Sequence, residues 1–172
     1  MRRSISVVAV LGLLLSGAIM AAAPVAEAKI VVGQGIAGVK LGDTQAQVKR
    51  LIGKPSSCSP CGKPEVLWHY EKGFEGVVAF DSSGRVKSMW TASNQQKTSK
   101  GIHTIGLSGK GHGSSVAEIK QAYPNAKCQE LPNSQGYTTC DLISYYHGRK
   151  VETNFEVITA SSGLAEISIA LE

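Results

Sequence analysis

Two stretches of the chain carry the same hydrophobic pattern. In the first, Thr44-Gln45-Ala46-Gln47 leads into Val48, Leu51 and Ile52 at helical spacing. In the second, Ser115-Val116-Ala117-Glu118 leads into Ile119 and Tyr123, with Val116 on the same stripe. Thr44-x-x-Gln47 and Ser115-x-x-Glu118 both read as capping boxes. The hydroxyl accepts from the amide three residues on, and the Gln or Glu reaches back to the cap's own amide. Gly53 with Pro55 stops the first helix, and Pro124 stops the second.

Beyond each helix the period shortens to that of strands. A cysteine follows each helix, Cys58 and Cys128, and a second opens the next extended stretch, Cys61 and Cys140. Aromatic clusters come next, Trp68-His69-Tyr70 and Tyr145-Tyr146-His147. Each half then shows a strand, a turn and a strand. The turns are Asp81-Ser82-Ser83-Gly84 and Ala160-Ser161-Ser162-Gly163, Gly-closed turns between β-branched runs. Upstream, Gly35-Ile36 matches Gly101-Ile102. The matches predict an α+β chain of two tandem repeats, each a short helix plus three or four antiparallel strands. Both helices are expected on one face of a joined antiparallel sheet, with the other face open. The expected boundaries are 1–28 for a signal peptide, 29–92 for the first repeat, 93–100 for a polar linker and 101–172 for the second repeat.

The N-terminal segment predicts export. Arg2 and Arg3 precede an apolar run over 5–23, and Ala26-Glu27-Ala28 follows as an A-x-A cleavage site. Ala21-Ala22-Ala23 is a second site, but it places Pro24 directly after the cut, so cleavage after Ala28 is preferred. Gly12 and Gly17 interrupt the run, which argues against a retained membrane anchor. Cys58 is the first cysteine, too far from the cut to take a lipid. A secreted or periplasmic location without a stable membrane anchor is expected. Four cysteines in an exported chain imply two disulfides with three available pairings. The alignment of the two halves favours Cys58–Cys61 and Cys128–Cys140.

A formal charge of +5, scattered rather than blocked, gives nucleic acid no platform. Other motifs reduce to bland readings. Gly33-Gln34-Gly35-Ile36-Ala37-Gly38 matches G-x-G-x-x-G, but no helix opens on those glycines. The Gly-rich loop over 106–113 lacks the G-K-[ST] ending of a P-loop and reads as a surface loop with potential for partner contact. Cys58-Ser59-Pro60-Cys61 matches C-x-x-C, yet Gly62 and Pro64 deny it the helix that would activate a thiolate. His69, His103, His112 and His147 show no metal-ligand spacing. No catalytic residue, metal or cofactor is expected.

The run Gly38-Val39-Lys40-Leu41-Gly42-Asp43-Thr44-Gln45-Ala46-Gln47-Val48, with Leu51 and Gly53-Lys54-Pro55, resembles the opening of a domain known from two groups. One is the β-lactamase-inhibitor-protein-like family. The other is the small lipoprotein of the outer-membrane barrel-assembly machinery. The duplicated pattern and the Cys128–Cys140 spacing favour the first. That resemblance implies two repeats, a disulfide within each, a concave sheet with helices behind it, and a protein-binding surface. It also implies an acidic residue on a projecting loop, for which Asp81 is the candidate counterpart. Cys58 and Cys61 lie closer together than the family pattern has them.

The expected function is therefore a secreted, non-catalytic protein-binding module, an inhibitor or envelope-associated adaptor, acting as a monomer on an unidentified protein partner. The alternatives are a cell-envelope assembly or structural protein and, third, a small-ligand carrier or enzyme. Open-sheet aromatics and two loops supply the candidate partner-binding residues: Trp68, Tyr70, Asp81, Trp90, Lys110, His112, Tyr145 and His147. Alternation places Trp68 and Tyr70 on one face and His69 on the other, and places Tyr145 and His147 together.

Overall fold

The structure, a computed structural model, describes residues 29–109, 111–132, 136–158 and 163–172. The expected signal peptide, Lys110 and the Ser161-Ser162 turn lie outside the described residues. Three short strands come first, β1 (Lys29–Val31), β2 (Gly35–Ile36) and β3 (Val39–Lys40), then helix α1 (Gln45–Ile52). Strands β4 (Ser57–Ser59), β5 (Leu67–Tyr70), β6 (Gly76–Phe80), β7 (Val86–Thr91) and β8 (Lys97–Thr98) precede helix α2 (Val116–Ala122). The chain continues with β9 (Lys127–Glu130), β10 (Tyr137–Tyr146), β11 (Arg149–Ile158) and β12 (Gly163–Leu171).

These strands form two sheets. Eight make one antiparallel sheet in the order β4-β5-β6-β7-β12-β11-β10-β9. Four make a second, in the order β3-β2-β1-β8, where β1 runs parallel to β8.

This corrects the α+β expectation of two tandem helix-plus-sheet repeats. Among the described residues the protein is mostly β, and the helices have only eight and seven residues. Each helix fully buries a single side chain, Val48 or Ile119. Elements that short cannot cover an eight-stranded sheet. The four-stranded sheet does much of that work, through Ile30, Ile36 and Val39, all fully buried. It takes three strands from ahead of α1 and one from 97–98, so it is not built from two equivalent units. The expected linker over 93–100 supplies that fourth strand and buries Ser93, Gln96 and Thr98.

The core lies between the two sheets. Trp68, Phe80, Met89, Phe155, Ile167 and Ile169 project from the large sheet into one cluster with Ile30, Ile36, Val39, Val48 and Ile119. Each such aliphatic or aromatic side chain contributes roughly 1.5–3 kcal/mol by burial. Both helices start as their sequences predict. Thr44 accepts from Gln47 N–H at 3.3 Å and Gln47 reaches back to Thr44 N–H at 2.8 Å. Ser115 and Glu118 do the same at 3.3 and 2.7 Å.

Both expected disulfides form. Cys128 and Cys140 face each other directly across β9 and β10, with Cα atoms 3.9 Å apart. Cys58–Cys61 ties β4 to the turn after it, with Cα atoms 5.1 Å apart. The Gly-rich loop is closed at its base by one residue. Ile105 N–H donates to Leu164 O at 2.8 Å, and Leu164 N–H donates to Ser114 O at 2.9 Å. Contact there is backbone to backbone: a Cβ on Gly163 would lie 2.3 Å from Gly113 O.

Candidate binding face

Register and burial assign the two sides of the large sheet. Trp68 and Tyr70 share a side, as alternation predicts, but that side is the core; each is only 5% exposed. The Trp68 ring sits 4.6 Å from Phe80, with Lys49 Nζ 4.9 Å over it. Tyr70 packs on Phe74 and donates to Gly53 O at 3.3 Å, and burial pushes its phenol up to about 12. These two side chains pack into the core and present no surface to a partner, contrary to the expectation from the sequence.

The other side belongs to the residues between them. Leu67 and His69 lie opposite Ala79 and Val77, and Val77 faces Trp90 on β7. Trp90 faces Ser168 on β12, and Asn154 on β11 continues the row. On β10 the same side carries Asp141, Ile143 and Tyr145, opposite Asn154, Glu152 and Lys150. Leu67 is 41% exposed, Ile143 44% and Tyr145 74%. Trp90 is half-buried between them. Of the sequence candidates, Trp90 and Tyr145 therefore belong to this face. Leu67 and Ile143 were missed.

The remaining candidates lie elsewhere. His147 does not share a strand face with Tyr145, because β10 ends at Tyr146. His147 and Gly148 form the β10–β11 turn, with φ of 49° and 76°. Positive φ at both central positions is the type I′ geometry that suits a two-residue hairpin. His147 is exposed, with its ring 4.2 Å from Tyr146. His112 is exposed on the Gly-rich loop. Asp81 is occupied by its own turn. Its carboxylate accepts from Ser83 Oγ at 2.6 Å, Ser83 N–H at 2.9 Å and Arg85 N–H at 3.0 Å. Those bonds, the Ser83 hydroxyl's first, hold its pKa below the usual carboxylate range.

The candidate face is acidic toward β10–β12. Glu156 and Glu166 stand directly opposite each other. Burial, then the Glu156 charge, raises the pKa of Glu166. Burial, then Asp141, raises that of Glu152. Lys150 is held by Glu172 at 2.6 Å. A nearby cation would favour the charged forms of Glu152 and Glu166.

A polar cleft of about 400 Å³ lies beside α2, lined by Lys100, His103, Ser114 and Glu118. It superficially resembles a nucleophile with its base. His103 Nδ1 is 2.9 Å from Gly101 O, which only accepts, so Nδ1 carries the proton. Ser114 Oγ lies 3.5 Å from that same nitrogen, which therefore has no lone pair to take the hydroxyl proton. Among the described residues no group of three or more His, Cys, Asp or Glu could hold a metal. No helix among them is long and apolar enough to cross a membrane.

No protein-family model and no curated protein matches the chain. Among solved structures, it is similar to an extracellular protein containing a SCP domain from Bacillus anthracis str. Ames. The identity is 11% and the TM-score 0.45, over 76% of this chain and 43% of that one. The chain thus spans less than half of that protein, and a likeness of this size informs neither fold nor role.

Proposed function

We propose that this is an exported, non-catalytic module that binds another protein through the side of the eight-stranded sheet that faces away from the core. The carrying observation is that Leu67, Ile143 and Tyr145, 41%, 44% and 74% exposed, project from one sheet side with Trp90 between them. Water-exposed apolar side chains gathered on one regular surface are the raw material of an interface core. The two disulfides and the Arg2-Arg3 apolar leader support an oxidising, extracytoplasmic location. The inhibitor and adaptor roles implied by the resemblance over 38–55 are both of this class.

The test compares apolar residues on and off the face. Affinity capture from envelope extract should lose its partner with Leu67→Asp and Ile143→Asp. It should keep it with Leu51→Asp and Leu107→Asp, which are comparably or more exposed, at 43% and 60%, but lie elsewhere. Unchanged capture by the first pair would overturn the reading.

A further inference from the structure

Resting on that reading, we infer that the outer edge of β10 over residues 142–146 accepts an extended, lysine- or arginine-bearing segment of the partner as an added strand. β9 pairs with β10 only from Thr138 to Asp141. β10 runs five residues further, to Tyr146, and among the described residues no strand pairs with its outer side there.

The orientation of its backbone follows from two observations. Leu131 N–H donates to Tyr137 O across the β9–β10 edge at 3.0 Å. Cys128 and Cys140 are opposed with Cα atoms 3.9 Å apart, the close spacing of a pair that exchanges no ladder bonds. The outward-bonding positions are thus Tyr137, Thr139 and Asp141, and the same alternation continues to Ile143 and Tyr145. Their N–H and C=O groups point past the end of β9. A row of unpaired backbone groups is a template for strand addition. The side chains of these same two residues are the exposed apolar ones on β10.

Charge selects the occupant. The binding side of β10–β12 carries Asp141, Glu152, Glu156 and Glu166, with Glu172 at the end of the row. Two ammonium groups stand against these five carboxylates: Lys150, already held by Glu172, and Lys127, opposite Asp141 at the end of β9. This side is acidic in a chain of formal charge +5. A cleft of about 340 Å³ lies beside the open edge, and its charged lining is three carboxylates, Asp141, Glu152 and Glu172, against two ammonium groups, Lys127 and Lys150. A strand laid there places alternate side chains over those carboxylates.

The test uses a fluorescein-labelled seven-residue peptide alternating Lys and Val, and the same peptide with Glu in place of Lys. The Lys peptide should bind by anisotropy, at least about tenfold tighter than the Glu peptide, and lose affinity as salt is added. On binding, amide exchange at Ile143 and Tyr145 should slow. Tyr145→Pro removes an outward N–H while leaving the β10–β11 ladder intact, and should weaken binding about tenfold. Tyr145→Ala, which keeps the N–H, should weaken it less. Binding without protection of those two amides would overturn the edge while leaving the sheet side as the contact. No binding, or equal binding of the Glu peptide, would also overturn it, and the capture experiment would then stand alone. Protection that rises with protein concentration in the absence of peptide would assign the edge to a second copy and overturn it too.

Discussion

The two halves of the large sheet use their strands differently. From β4 to β7 the strands have three to six residues, and β6 is buried at every position on both sides. From β10 to β12 they have nine or ten, and β11 alternates buried and half-buried along most of its length. A strand buried on both sides, as β6 is, leaves little free surface. Long alternating strands keep one side in the core and offer the other to solvent. The first half mainly contributes core, and the second half most of the candidate binding face.

The largest expected effect contrasts two tryptophans. Trp68→Ala should cost about 3–5 kcal/mol in urea denaturation, because it opens a cavity against Phe80. Trp90→Ala, on the half-buried side, should cost about 1 kcal/mol. Equal losses would erase the distinction between the core side and the candidate binding side. The disulfides come next. Replacing Cys128 and Cys140 by Ser should cost about 3 kcal/mol, and replacing Cys58 and Cys61 about 2, from their loop lengths. A reversed order, read by denaturation with and without reductant, would mean the short bridge carries the greater constraint.

The helix caps sharpen the comparison by their equality. Thr44→Ala and Ser115→Ala should each cost about 1 kcal/mol, since both boxes have the same bonds. A markedly unequal pair would show that one helix is held chiefly by its packing. The smallest effect concerns Glu166. Its native pKa is raised above 4.5, so the folded state takes up this proton more readily than the unfolded chain. Its contribution to stability therefore increases as pH falls through the raised value and is complete below 4.5. Glu166→Gln should add a few tenths of a kcal/mol at about pH 7 and remove that part of the gain near pH 5. Thermal melts at the two pH values test the sign. Asp81 has the opposite sign, stabilising above its ordinary 3.8 and losing that effect as pH falls through its lowered value.

What could be read from the sequence was local. Capping boxes specify their bonds within four residues, and the helices start where Thr44 and Ser115 place them. The cysteine pairs follow from matching the two halves. The small sheet left no such trace. β2, β3 and β8 have two residues each, too few for a period, and β1 meets β8 across the chain from Lys29 to Lys97. Repeat matching was misled there, because similar local segments need not occupy equivalent places in a fold.

The site was half legible for a different reason. Alternation says which side chains of a strand go together but not which set is inside. That cost Trp68 and Tyr70. The missing sign was available at Cys140, a residue type strongly inclined to burial and fully buried here. Counting outward from it places Asp141, Ile143 and Tyr145 on the opposite side. Asp81 bonds its own turn, as a short acidic side chain at the head of a Gly-closed turn commonly does.

Leu164 gives the fold a practical tolerance. Because both ends of the segment over 106–113 are bonded to one buried residue, its length has little influence on anything beyond that point. Lengthening a loop whose ends are already held costs only about 0.6 kcal/mol per doubling. An epitope or reporter peptide spliced near Gly109 would thus ride on the molecule without loosening either sheet. Adding even a methyl group at Gly113 or Gly163 would instead force the clasp apart.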